Sequence, residues 1–172
     1  MELRLFTPEH AREVADWPLS AEESALWCGR RESPVAELTV IGWQRHSDVS
    51  AFLLVEEEQP LAYGELWFDE GESEVELARL IVAPEHRGRG MGRELARRLL
   101  AQAVGDGADS VFLRVHPDND RALKCWLSAG FVPVESRLAA QWNTRQPVYY
   151  LWLRNALSPL RAVDVGQDAS AA

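Results

Sequence analysis

The sequence predicts a mixed α/β fold organised around one sheet. Three features of the chain support this. Residues 50–82 read as three successive apolar strands joined by polar turns, which is an antiparallel meander. From residue 74 onward, strand and helix patterns alternate, with a glycine-rich turn between the first strand and its helix. Two short helical segments with clear start signals precede the meander. A meander feeding a strand–helix–strand–helix–strand half gives a mixed sheet.

Each element has a local reason. Residues 2–6 alternate and form a first strand. Thr7 followed by Pro8 starts a helix that runs to about Trp17, before Pro18. Ser20 and Glu23 make a capping box for a second helix, which Gly29 ends. Residues 30–44 contain Pro34 and Gly42 and read as a loop with a short turn. Residues 50–56, 61–69 and 74–82 are the meander strands. Residues 90–104 carry Leu95, Leu99 and Leu100 on one helical face, and the Gly105-Asp106-Gly107 run stops them. Residues 110–116 place Val111, Leu113 and Val115 on one side of a strand. Residues 119–129 form a helix closed by Gly130, and residues 131–137 and 148–153 are two last strands. With no internal repeat or linker, residues 1–153 make one domain, and the Ala-, Asp- and Ser-rich residues 154–172 read as a mobile tail.

At 172 residues, 47% hydrophobic and 26% charged, the chain has an ordinary soluble composition. A net charge of −9 argues against broad nucleic-acid binding. Cys28 and Cys125 lie far apart, have no metal-ligand spacing, and read as free thiols. The start Met1 to Phe6 lacks the basic and apolar regions of a signal peptide, and no apolar run nears the ~20 residues that span a bilayer. The expectation is a cytoplasmic protein without a metal site and without membrane or nucleic-acid partners.

Residues 76–95 are the most informative stretch. A strand runs into a turn holding Gly88, Gly90 and Gly92 interleaved with Arg87, Arg89 and Arg93, and a helix follows. Such a turn exposes backbone N–H groups at a helix N-terminus, where the helix dipole favours anions. Glycines let the backbone approach phosphate closely, and arginines add positive charge. A dinucleotide fold would place Gly-x-Gly-x-x-Gly after a first strand, whereas here the spacing is Gly88-x-Gly90-x-Gly92 after the fourth. A P-loop would end in Gly-Lys-Ser/Thr, and Gly92-Arg93-Glu94 does not.

The run Arg87-Gly88-Arg89-Gly90-Met91-Gly92, entered from Leu80 to His86, resembles the Arg/Gln-x-x-Gly-x-Gly/Ala signature of the GNAT superfamily of N-acetyltransferases. The stretch from Asn119 through Ala122 to Gly130-Phe131 is similar to that family's Asn-x-x-Ala…Gly-Phe helix. The two motifs fall in the family's order with one strand between them, and the likeness spans residues 1–153. The resemblance implies a mostly antiparallel sheet with helices on both faces, splayed at its central strands. It also implies acetyl-CoA as donor. Ile81, Val82 and Ala83 would hold the pantetheine arm as if it were an added strand. Amides from Gly88 through Arg89, Gly90, Met91 and Gly92 to Arg93, next to Arg87, would hold the pyrophosphate, and Asn119 would meet the pantetheine region.

The resemblance further implies direct attack of a bound amine on the thioester. An ammonium with a pKa near about 10.4 has no lone pair, so a base is useful. By position that base is Glu76, which simple alternation puts on one face with Ala78, Leu80 and Val82; a solvated strand carboxylate is the plain alternative. Where the family often has a Tyr to protonate the leaving thiolate, this chain has Trp126, whose indole N–H donates a hydrogen bond but is no usable acid. Other candidates are His116, Tyr149 and Tyr150, while Cys125 reads as core and His86 as a solvated or phosphate-facing residue. Trp126 keeps open a second reading, a CoA-binding sensor without transferase activity, and O-acylation or a longer acyl chain is a third.

The acceptor is an amine, either small-molecule or peptide. Trp17, Trp27, Trp43 and Trp67 lie in the half where the family builds its acceptor site, and core packing is the ordinary role of each. If two or more faced the cleft they would suit an aromatic or cationic acceptor, with Asp16, Glu22, Glu23 and Glu65 available to bind an amine. The resemblance makes a homodimer an option that no residue specifies.

Overall fold

A computed structural model describes residues 1–155 except 70 and 72. Seven strands among these residues form one sheet: β1 (Glu2–Leu5), β2 (Val49–Glu56), β3 (Gln59–Asp69), β4 (Glu74–Val82), β5 (Ser110–Val115), β6 (Phe131–Pro133) and β7 (Leu151–Asn155). Their order in the sheet is β1-β2-β3-β4-β5-β7-β6. Every neighbouring pair is antiparallel except β4 and β5. Among the described residues six α-helices are attached: α1 (Ala11–Ala15), α2 (Ala21–Cys28), α3 (Glu37–Trp43), α4 (Met91–Gly105), α5 (Asp120–Ser128) and α6 (Ser136–Asn143). This is the mixed, mostly antiparallel α/β sheet expected. None of the described helices is long and apolar enough to cross a membrane.

Two buried clusters sit on opposite faces of the sheet. Leu95, Ala96 and Leu99 of α4 pack with Leu54, Leu66, Leu77 and Leu113. Val14 of α1 and Val40 and Trp43 of α3 pack with Leu53, Val55 and Tyr63. The predicted period of α4 is what places its leucines inward.

Several boundaries differ from expectation for identifiable reasons. Residues 30–44 contain α3, because Pro34 precedes the helix and Gly42 sits inside it in open space. Residues 8–17 split into a 3₁₀ turn, Pro8–His10, and α1. Thr7 does not cap with its side chain; its hydroxyl donates to Glu9 instead. The strand from Phe131 stops at Pro133, one further bond running from the Val134 N–H to the Trp152 carbonyl, and α6 follows. β7 begins at Leu151 and continues through Asn155, past the expected end at 153. Residues 156–172, expected to be a mobile tail, lie outside the described residues.

The central event is a bulge in β4. Trp67 pairs with Glu76 and Glu65 with Ala78, but the register shifts before Tyr63 pairs with Ile81. The extra residue is absorbed at Arg79, whose φ is 46°, in the left-handed region. Cross-strand partners share a face. Glu76 and Ala78 therefore lie on the face of Trp67, Glu65 and Tyr63, while Leu80 and Val82 pack with α4. The expectation that Glu76 shares a face with Leu80 and Val82 is corrected: one bulge residue reverses strand parity. Past the bulge the sheet opens. β4 pairs with β5 only at residues 74–76, and β5 continues beside β7.

Candidate active site

The opening between β4 and β5 is a cleft of about 960 Å³, lined at one end by Gly88, Gly90 and Gly92 and at the other by Trp67, Glu76, Arg114 and Tyr150. Its sequence-predicted members Ile81, Val82, Arg87, Met91, His116, Asn119 and Trp126 also border it. Ala83 is fully buried behind the wall, its N–H donating to the Leu61 carbonyl. That bond fixes the alternation, so the Val82 amide turns toward the open edge rather than toward β3.

At the turn, Gly88 and Gly90 have φ of 77° and 82°, conformations an L side chain rarely adopts. Gly90 is the N-cap of α4, and the first helical bond runs from Glu94 N–H to the Gly90 carbonyl. The amides of Met91, Gly92 and Arg93 thus precede the helical ladder and are available to an anion. Gly92 serves packing: a Cβ there would come 2.9 Å from Cys125 Sγ. Cys125, read as core, stands half-buried on the cleft wall against this glycine, and its thiol is pushed up by burial.

The arginines divide. Arg89 and Arg93 are exposed with no ion-pair partner among the described residues. Arg87, expected on the phosphates, points inward. Its guanidinium donates to Glu23 at 2.9 Å, to the Trp17 carbonyl at 2.9 Å and to the Val82 carbonyl at 3.1 Å, and its N–H bonds Pro84. It clamps the turn to β4 and to the start of α2, where Glu23 also accepts the Leu19 N–H. Arg97 and Arg98 both pair with Glu94, which they hold down to about 2. Asn119 caps α5, its Oδ1 accepting the Ala122 N–H at 3.1 Å, so its side-chain NH2 remains as a donor.

Glu76 is 12% exposed and pairs with Arg114, Oε1 to Nε, at 2.8 Å. Burial pushes its carboxyl up to about 7, against the opposing pull of Arg114 and Arg79. Trp126 is buried against α4 and belongs to the core. Tyr150 lines the cleft, whereas Tyr149 is 61% exposed away from it. Asn143 grips the Tyr150 backbone from both sides, Nδ2 to the carbonyl at 3.0 Å and Oδ1 from the N–H at 2.9 Å. His116 accepts the Asp118 N–H at Nδ1 and meets the Tyr150 ring edge-on. His86 borders the turn with its Nε2 buried and 3.9 Å from Glu85, beyond a hydrogen bond.

The tryptophans resolve into different roles. Trp17 is core, and its carbonyl serves Arg87. Trp27 and Trp67 line the cleft, and Trp43 is buried behind them. The Arg79 guanidinium lies 4.1 Å from the Trp43 ring centroid and 4.7 Å from that of Trp67. Glu65 is fully buried, and its oxygens accept from Tyr63, Trp67 and Arg79. Asp16 and Glu22 do not border the cleft. Arg79, Arg114 and Gln146 were missed. The available signal was strand parity: with Val111, Leu113 and Val115 inward, Phe112, Arg114 and His116 must face the other way.

The open β4 edge, the paired glycine conformations and the unladdered amides fit a pantetheine arm ending in phosphates. Residues of the chain are 38% identical over 58 residues to the uncharacterized N-acetyltransferase YobR of Bacillus subtilis, covering 34% of this chain and 24% of that protein. They are 44% identical over 64 residues to the N-alpha-acetyltransferase RimI of Mycobacterium tuberculosis, covering 37% of this chain and 39% of that one. The match thus spans well under half the length of either relative. Among solved structures, AAC(6')-Ib in complex with ribostamycin and coenzyme A superposes with a TM-score of 0.70 at 19% identity, over 89% of this chain and 91% of that one. Spermidine N-acetyltransferase from Vibrio cholerae, in complex with CoA and spermine, gives 0.66 at 20% identity over 89% and 92%. These two likenesses show the fold. The model of the Acetyltransferase (GNAT) family matches residues 11–131, well over half of the sequence, and the chain belongs to that family of N-acetyltransferases.

Proposed function

We propose that the chain transfers an acetyl group from acetyl-CoA to a primary amine by direct attack in a ternary complex. One observation carries this reading: the open edge of β4 leads from the glycine–arginine turn to a buried carboxylate, Glu76, within a single cleft. The amides from Gly88 to Arg93 would take the pyrophosphate, with Arg89 and Arg93 adding charge. Val82 would present the strand edge, with the Ile81 side of β4 beside it, and Asn119 a side-chain donor, whereas Ala83, expected to share this role, is buried with its N–H on the Leu61 carbonyl. When bound, acetyl-CoA supplies an acetyl thioester.

The chain's own part is proton handling and positioning. Glu76, poised near neutrality, accepts the proton of the acceptor ammonium directly or through a water. As the new C–N bond forms and the C–S bond breaks, the amine's second proton leaves to solvent. Tyr150 is the better proton donor to the departing thiolate, because the Trp126 indole is no usable acid and Tyr149 does not border the cleft. A thiol pKa near about 8.5 means that modest help suffices.

The test pairs binding with turnover. Acetyl-CoA should raise the Tm of the wild-type chain and fail to raise that of Gly90→Glu. Thiol release over a panel of amines should be seen with wild type and fall by about 10²–10⁴-fold in Glu76→Gln. CoA binding with no thiol release for any amine would favour the sensor reading, and no binding would reject both.

A further inference from the structure

The acceptor end of the cleft is short of acceptors, not of donors. The acids that would greet a polycation are already committed. Glu65 takes Tyr63, Trp67 and Arg79, Glu23 takes Arg87, and Glu76 takes Arg114 through Oε1. Asp118 and Asp120 border the cleft only at the exposed start of α5. The aromatic surfaces of Trp43 and Trp67, which could otherwise cage a ligand cation, are filled by Arg79 of the chain itself.

Arg114 has the opposite character. Its Nε goes to Glu76 and its Nη1 to Gln146 Oε1 at 3.0 Å, which leaves Nη2 without a protein partner among the described residues. The guanidinium stands 5.3–5.7 Å from the ring centroids of Trp67, Tyr150 and Trp152, so its surroundings are largely apolar. The Gln146 side chain, its oxygen used, keeps its NH2 as a second donor. A planar guanidinium with a spare N–H beside an amide donor matches the demand of a carboxylate.

We infer that the acceptor is an amine carrying its own carboxylate, an amino-acid-like zwitterion, with Arg114 and Gln146 holding the carboxylate while Glu76 faces the amine. Glu76 and Arg114 touch, so the two groups of the ligand must be close together, as they are in an α- or β-amino acid. This inference rests on the acetyltransferase reading above. It differs from the ligands of the spermine- and ribostamycin-bound neighbours, whose likeness to this chain shows the fold alone.

The experiment uses matched trios: L-phenylalanine, its methyl ester and phenethylamine; L-leucine, its methyl ester and isoamylamine; with spermidine alongside. Calorimetry on the CoA-loaded full chain measures binding of all twenty amino acids and of the trio members, and thiol release from acetyl-CoA measures kcat/KM. At least one free amino acid should bind and be turned over ten-fold or more better than its ester and its decarboxylated amine. Arg114→Gln should erase that preference while CoA still binds. Esters, plain amines or spermidine preferred over the free acids, or no amino acid binding to a chain that binds CoA, would overturn the inference. A chain that does not bind CoA at all would instead remove the acetyltransferase reading, and this inference would fall with it.

Discussion

Arg79 donates a 2.7 Å hydrogen bond from Nη1 to Oε2 of the fully buried Glu65, from a backbone position with φ of 46°. The same residue accepts the Trp27 indole N–H on its carbonyl at 2.7 Å. One residue therefore sets the bulge that opens the sheet and neutralises a carboxylate under the cleft floor. Its left-handed backbone costs about 1 kcal/mol or more, and the ion pair holds it there.

Breaking that pair on one side leaves a buried charge without its cation. Arg79→Met should destabilise the chain by about 3–5 kcal/mol in denaturant titrations, because Glu65 keeps only the Tyr63 and Trp67 donors. Adding Glu65→Gln should recover part of the loss, so the double variant should be less impaired than the two single losses summed. Strict additivity would show that the pair is not coupled.

The glycines of the turn should separate by mechanism. Gly92→Ala puts a Cβ 2.9 Å from Cys125 Sγ and should cost about 1–3 kcal/mol. Shrinking the neighbour with Cys125→Ala should remove most of that cost, since Ala is otherwise the better helix residue. Gly90→Ala meets no atom within 4 Å, yet forces a positive φ of 82° on a residue with a Cβ. Its cost of about 1–2 kcal/mol should not respond to Cys125→Ala. Thermal unfolding of the four variants checks both, and rescue of Gly90→Ala by Cys125→Ala would contradict the assignment.

Most of the fold was legible because its elements follow simple rules. The meander strands are apolar runs between polar turns, and α4 keeps a clean leucine period. The motif from Arg87 to Gly92 and the capped helix from Asn119 located the glycine-turn end of the cleft. The acceptor end was not legible, and the reason is the bulge. A positive φ at Arg79 has no local signature, since the sequence there reads as an uninterrupted strand. Without it, Glu76 is assigned the wrong neighbours. Glu65 reads as an acid available to bind an amine, although its place between Tyr63 and Trp67 on one strand face points to burial. The guanidinium-rich character of the acceptor end depends on long-range pairing of β4 with β5 and on the loop after α6, which no short window contains.

The Glu76 carboxyl, lifted to about 7 chiefly by burial, ties activity and stability to pH in opposite senses. With Glu76 in its proposed role as base, activity needs the ionised form, so kcat/KM should rise with pH through about 7, and Glu76→Gln should lose that limb along with most of its rate. Stability runs the other way. Between about 4.5, its ordinary value, and about 7, the folded chain keeps a proton that the unfolded chain has released. With more protons bound in the native state, unfolding free energy falls as pH rises across that window, at up to about 1.4 kcal/mol per pH unit from this group. The stability of wild type minus that of Glu76→Gln should therefore decline from pH 4.5 to 7 and level off above it, whatever constant offset the lost Arg114 pairing adds. Urea titrations of both proteins across pH 4.5–8.5 measure this difference. A difference that rises with pH would mean that Arg114 outweighs burial and that Glu76 is a fixed anion rather than a base poised near neutrality.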